Sequence, residues 1–123
     1  MMTVNTPLGR IVIADDDKNL REVVEDLLTE AGYEVETAGD GVQALAAVDR
    51  TVPALMLLDM RMPNLGGLGV LERLQQRGPA FPVIVITAQP DATAAAIERG
   101  ASRVLIKPLS LDVLLDAVQA AVA

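Results

Sequence analysis

Five short apolar runs, each stopped by a polar or turn-forming residue and each separated from the next by helical periodicity, constrain this chain more than any other feature. Ile11 to Ala14 ends at three aspartates, Ala54 to Leu58 ends at Asp59, Val83 to Ile86 lies between Pro82 and Thr87, and Val104 to Ile106 ends at Lys107-Pro108. The remaining run, Tyr33 to Thr37, alternates apolar with acidic residues, as a strand at an exposed edge does. Runs of four or five apolar residues with no polar face fit strands covered on both sides. Strands alternating with helices imply a parallel sheet sandwiched between helical layers, a doubly wound α/β fold of the (βα)5 kind.

The intervening segments carry helix signals. Leu20, Val23, Val24, Leu27, Leu28 and Ala31 recur at helical spacing, Asp17 stands where an N-cap belongs, and Gly32 suits a left-handed C-terminal cap. Gly39-Asp40-Gly41 turns into a second helix with Val42, Leu45 and Ala46 expected inward. Pro63 and Gly66-Gly67 form a loop before a third helix marked by Leu68, Leu71 and Leu74. Ala92 to Arg99 reads as a short helix closed at Gly100, and Ser110 caps a last helix carrying Leu111, Leu114, Leu115 and Val118. Residues 1–9 are expected to be an N-terminal extension and 10–123 one domain, without linker or repeat.

Composition removes several classes of chemistry. The 123 residues contain no cysteine and no histidine, so thiolate sites, histidine bases and histidine metal sites are all excluded. A net charge of −7 opposes nucleic-acid binding, and the single Tyr33 and single Phe81 provide no stacking platform for bases. No apolar run approaches the roughly 20 residues of a membrane span, and the first ten residues lack signal-peptide character, so a cytoplasmic domain is expected.

In open α/β sheets, ligands bind beyond the carboxyl ends of the strands. Placed there are Asp15, Asp16 and Asp17 after strand one, Asp59 after strand three, Thr87 after strand four and Lys107 after strand five. Crowded carboxylates repel, and a hard cation such as Mg2+ resolves the repulsion through oxygen ligands. A carboxylate can also attack phosphorus, provided that a cation, an ammonium and a hydroxyl neutralise the transferring oxygens. Each group taken singly has a plainer reading: Asp17 as helix cap, Asp59 as turn residue, Thr87 as strand end, Lys107 as solvated edge.

Five segments, in order, resemble the receiver domain of bacterial two-component response regulators. They are Ile11-Val12-Ile13-Ala14-Asp15-Asp16-Asp17, Leu57-Leu58-Asp59-Met60-Arg61-Met62-Pro63, Val85-Ile86-Thr87-Ala88, Gly100-Ala101-Ser102 and Ile106-Lys107-Pro108. The resemblance implies the flavodoxin-like strand order 2-1-3-4-5. It implies Asp59 as phospho-acceptor and Mg2+ held by Asp15, Asp16, Asp59 and the backbone carbonyl of Arg61, with Asp16 the direct ligand of the acidic pair. Thr87, Ala88 and Lys107 would meet the phosphoryl group, and the Lys107-Pro108 bond would be cis. Implied partners are a sensor histidine kinase or histidine phosphotransfer protein, and an output domain, downstream protein or second copy on the helix 4/strand 5/helix 5 face.

Three positions depart from the family pattern. Val104 stands where an aromatic residue usually couples to the threonine, Gly66 replaces an aspartate that would cap the third helix, and Arg61 sets a guanidinium beside the pocket. Two alternatives stay open at this level. Asp15 could be the nucleophile of a phosphatase resembling the haloacid dehalogenases, although Lys18 and Asn19 do not continue that motif. Otherwise the chain could be an unphosphorylated interaction module.

Overall fold

A computed structural model of the chain describes residues 7–78 and 81–123; six residues of the expected extension, 1–6, lie outside them. Five strands alternate with helices: β1 (Arg10–Ala14), α1 (Lys18–Glu30), β2 (Glu34–Ala38), α2 (Gly41–Arg50), β3 (Leu55–Asp59), α3 (Gly67–Arg77), β4 (Val83–Thr87), α4 (Thr93–Glu98), β5 (Arg103–Ile106) and α5 (Leu111–Val122). A 3-10 turn, Pro90–Ala92, leads into α4. The sheet is entirely parallel, in the order β2-β1-β3-β4-β5. Among the described residues no helix is long and apolar enough to cross a membrane.

Strand alternation sorts the apolar side chains into two cores, one per sheet face. Val12, Ala14, Met56, Leu58, Val83 and Val85 pack with Ala44, Ala47, Val48, Val70, Leu71 and Ala96 from α2, α3 and α4. Ile11, Ile13, Leu55, Leu57, Ile84 and Ile86 face the other way, against Val24, Leu28, Leu114 and Val118 of α1 and α5. Of the three inner strands, β3 and β4 are buried along their whole length and β1 from Ile11 onward, which is why these runs lack a polar face in the sequence. Each fully buried Leu or Ile contributes about 1.5–3 kcal/mol relative to exposure.

Local chemistry sets the helix limits. Asp17 caps α1 by accepting from the amides of Asn19 and Leu20, and Gly32 follows its end at φ 105°. Ser110 caps α5. Gly66 leaves α3 without a side-chain cap, in line with the missing aspartate. Met56 is fully buried and Met60 and Met62 pack against the core, so these three methionines serve packing.

The expected inward face of α2 needs correction: Val42 and Ala46 face solvent, while Ala44, Leu45, Ala47 and Val48 are buried. The cause is Gly41, whose N–H donates to the Leu65 carbonyl and whose Cβ, if present, would lie 2.3 Å from that oxygen. With Gly41 against the loop, the 100° turn per residue carries 44, 45 and 48 inward and 42 and 46 outward. Val23 of α1 and Leu111 of α5 are likewise exposed rather than inward.

Candidate functional site

The register of the parallel ladders brings the strand ends to one edge. Ala14 pairs with Leu58, Asp59 with Ile86 and Thr87 with Ile106, and the Lys107 amide donates to the Thr87 carbonyl at 2.8 Å. The side chains after β1, β3, β4 and β5 therefore converge on a cavity of about 300 Å3 lined by Asp16, Asp17, Asp59, Arg61, Thr87, Ala88, Gln89 and Lys107. A larger apolar cavity of about 490 Å3, lined by Val48, Leu71, Leu74 and Phe81 among others, lies where β4 begins and holds no carboxylate cluster.

One carboxylate oxygen each from Asp15, Asp16 and Asp59 lies within 4.8 Å of the others. Asp15 and Asp59 are buried, and Asp16 is exposed. The Lys107 ammonium bridges the buried pair, 3.2 Å from Asp59 Oδ1 and 3.6 Å from Asp15 Oδ2. Asp15 Oδ1 accepts from the Asp17 amide at 2.9 Å. Thr87 is buried, its hydroxyl oxygen accepting from the Gln89 amide at 3.0 Å. The Lys107-Pro108 bond is cis.

Burial pushes the Asp59 carboxyl above its ordinary value, the Asp15 charge adds to the rise, and Lys107 only partly opposes it. Burial alone would lower the Lys107 pKa, but Asp15 and Asp59 outweigh it and the net shift is upward. Three carboxylates around one ammonium leave unneutralised negative charge, and their oxygens form a donor set suited to a hard cation.

All residues singled out in the sequence lie in or beside this edge except Val104, which sits half-buried within β5, paired with Val85. Arg61 is exposed, and its side chain makes no ion pair among the described residues. Three participants were not foreseen. Gln89 lines the cavity, with only its position two residues beyond Thr87 as a signal. Asn64, at φ 66°, donates to Asp40 Oδ2 at 2.8 Å and ties the loop after Asp59 to the start of α2. Arg21 donates to the Asp15 carbonyl at 2.9 Å.

The chain is thus a parallel (βα)5 sheet with an acidic pocket and a lysine at its carboxyl edge. The family model of the response regulator receiver domain matches residues 11–119, and the chain belongs to that family. It is similar to the response regulator MprA of Mycobacterium leprae, with 40% identity over 113 residues, covering 90% of this chain and 50% of that protein. It is also similar to the DNA-binding transcriptional regulator NtrC of Salmonella typhimurium, with 38% identity over 117 residues, covering 94% of this chain and 25% of the relative. The chain thus spans half or less of these relatives. Among solved structures, the receiver domain of NtrX from Brucella abortus superposes with a TM-score of 0.85 at 32% identity, covering 91% of this chain and 97% of that one. A Francisella response regulator 1452 receiver domain gives 0.88 at 27% identity, covering 93% and 96%. The acidic triad is typical of the cation site of this family, whose members are signalling domains and not classical enzymes.

Proposed function

We propose that Asp59 accepts a phosphoryl group from a sensor histidine kinase or histidine phosphotransfer protein in a magnesium-dependent reaction. The supporting observation is the convergence of three carboxylates within 4.8 Å beside the Lys107 ammonium. Asp16, Asp59 and the Arg61 backbone carbonyl would hold Mg2+ directly; Asp15 has both oxygens engaged and acts in support. Bound Mg2+ supplies neutralisation of the transferring oxygens. A carboxylate oxygen of Asp59 attacks phosphorus, the P–N bond of phosphohistidine breaks, and the imidazole leaves with the electron pair. Lys107 pairs with one phosphoryl oxygen, while the Thr87 hydroxyl and Ala88 amide donate to others.

The assignment of 10–123 as receiver and 1–9 as extension belongs to this reading, although packing begins slightly earlier, where Gly9 accepts from the Glu34 amide. So does a cytoplasmic setting. The α4/β5/α5 face, with exposed Ile97, Ile106, Leu111 and Val113, would take an output domain, downstream protein or second copy. With Val104 in place of a ring, the signal passes through the loop after β4 and through α4.

The test is labelling by acetyl phosphate with Mg2+. The native protein takes up one phosphoryl group and Asp59→Asn takes up none. Labelling that survives Asp59→Asn but is lost in Asp15→Asn would establish the phosphatase-like chemistry instead. Failure to bind beryllofluoride at excess Mg2+ would make the chain an interaction module.

A further inference from the structure

The three carboxylates of the pocket are not held alike. Asp15 is fixed by the Asp17 amide and by Lys107, and Asp59 by Lys107. The exposed Asp16 carboxylate makes no hydrogen bond or ion pair among the described residues, so only the backbone directs it. Whatever fixes the Asp15–Asp16 peptide therefore aims Asp16. On one side of Asp15, its amide donates to the Ala38 carbonyl at 3.0 Å. On the other, the Asp15 carbonyl accepts from Arg21 Nη1 at 2.9 Å. Because the peptide is planar, holding that carbonyl also sets the amide and Cα of Asp16.

Arg21 stands one turn into α1, and helical side chains lean toward the N-terminus, which carries it back over the end of β1. Its guanidinium runs beside the turn after β2, where a Cβ on Gly39 would lie 3.4 Å from Nη1. A cation at this end of a helix opposes the macrodipole, α1 has no acidic residue in its first turn, and Arg21 forms no side-chain ion pair among the described residues. A solvated arginine would sit more favourably elsewhere; this one spends its placement on a charge-assisted bond to a carbonyl.

We propose that Arg21 is a positioning residue of the acidic pocket, locking the Asp15–Asp16 peptide so that the Asp16 carboxylate faces the cation. This rests on the magnesium-binding reading above. It also has an unusual sign. By charge alone, a guanidinium near the pocket repels Mg2+, and deleting it would tighten binding. By positioning, deleting it weakens binding.

Calorimetric titration of the metal-free protein with MgCl2 separates these. Arg21→Ala is expected to bind Mg2+ about tenfold more weakly, the scale seen when an outer-shell partner is lost. Arg21→Lys, which keeps a charge and a donor, recovers part of that loss, and the Asp16 amide resonance of metal-free Arg21→Ala shifts. If Arg21→Ala does not fold, Arg21→Gln carries the same comparison. Native protein that binds with Arg21→Ala equal or tighter overturns the role of Arg21 alone. Native protein that binds no Mg2+ overturns the pocket reading and this inference together.

Discussion

Lys107 places its ammonium 3.2 Å from Asp59 Oδ1, making it the protein's own counter-charge to the proposed acceptor. Removing it as Lys107→Met leaves two buried carboxylates facing each other without a cation. Labelling by acetyl phosphate should fall about 100-fold, the scale of losing one transition-state donor. Stability at neutral pH should drop by about 1–2 kcal/mol, allowing for screening at its partly exposed side chain, as urea denaturation would measure. Adding Asp59→Asn should restore most of that stability but none of the labelling.

Both shifted groups of the pocket make stability fall as pH rises, but in separate windows, Asp59 in acid and Lys107 in alkali. Asp59 has a folded pKa above its ordinary 3.8, so the folded chain binds that proton more tightly than the unfolded chain. Its ionisation costs nothing below 3.8 and its full amount above the folded value. Metal-free Asp59→Asn should therefore be more stable than the native chain at pH 7, by about 1 kcal/mol after solvent screening, and the gap should close in acid. Lys107, with a raised folded pKa, contributes stability below its ordinary 10.5 that is lost as pH rises through the folded value. Thermal melts from acid to alkaline pH test both.

Arg61 lines the pocket with a side chain that pairs with no acid among the described residues. On the proposed reading it would meet the phosphoryl group and shield it from water. An exposed charge pair is worth about 0.2–1 kcal/mol, so Arg61→Ala should speed hydrolysis of phosphorylated Asp59 by about 1.5- to fivefold. An unchanged decay rate on phosphate-affinity gels removes Arg61 from the chemistry.

On the proposed reading, in which Val104 offers no ring to carry a displacement of Thr87 and the path runs through the loop and α4, beryllofluoride with Mg2+ should shift amide resonances across 88–104. If that region stays still while Asp59 and Lys107 respond, the output path lies elsewhere.

Gly41→Ala should cost about 2–4 kcal/mol, since its Cβ would fall 2.3 Å from the Leu65 carbonyl and 2.8 Å from Val70 Cγ2. The clash pushes out the loop that carries Arg61, so Mg2+ affinity should fall together with the urea midpoint.

The fold was legible because burial on both faces writes itself into inner strands as unbroken apolar runs, as in Leu55 to Leu58. Asp59, Thr87 and Lys107 were legible because each stops such a run at the edge where ligands bind. What escaped depends on contacts between distant segments. Val42 looks inward by local periodicity, and only the seat of Gly41 on Leu65 turns it out. Asn64 reads as a turn residue until Asp40 is found beside it. Arg21 resembles any solvated helix arginine; its one local hint was a cation at the wrong end of a helix dipole.

The edge position of β5 has a consequence for how the chain comes off the ribosome. A nascent chain synthesised as far as Thr87 already carries the sequences of β1 to β4, and with them Asp15 and Asp59. Lys107 is synthesised only afterwards, at the end of the strand that closes the sheet on that side. One strand thus supplies both the last ladder of the sheet and the counter-charge of its acidic edge, so a chain cut short before β5 would lose the two together.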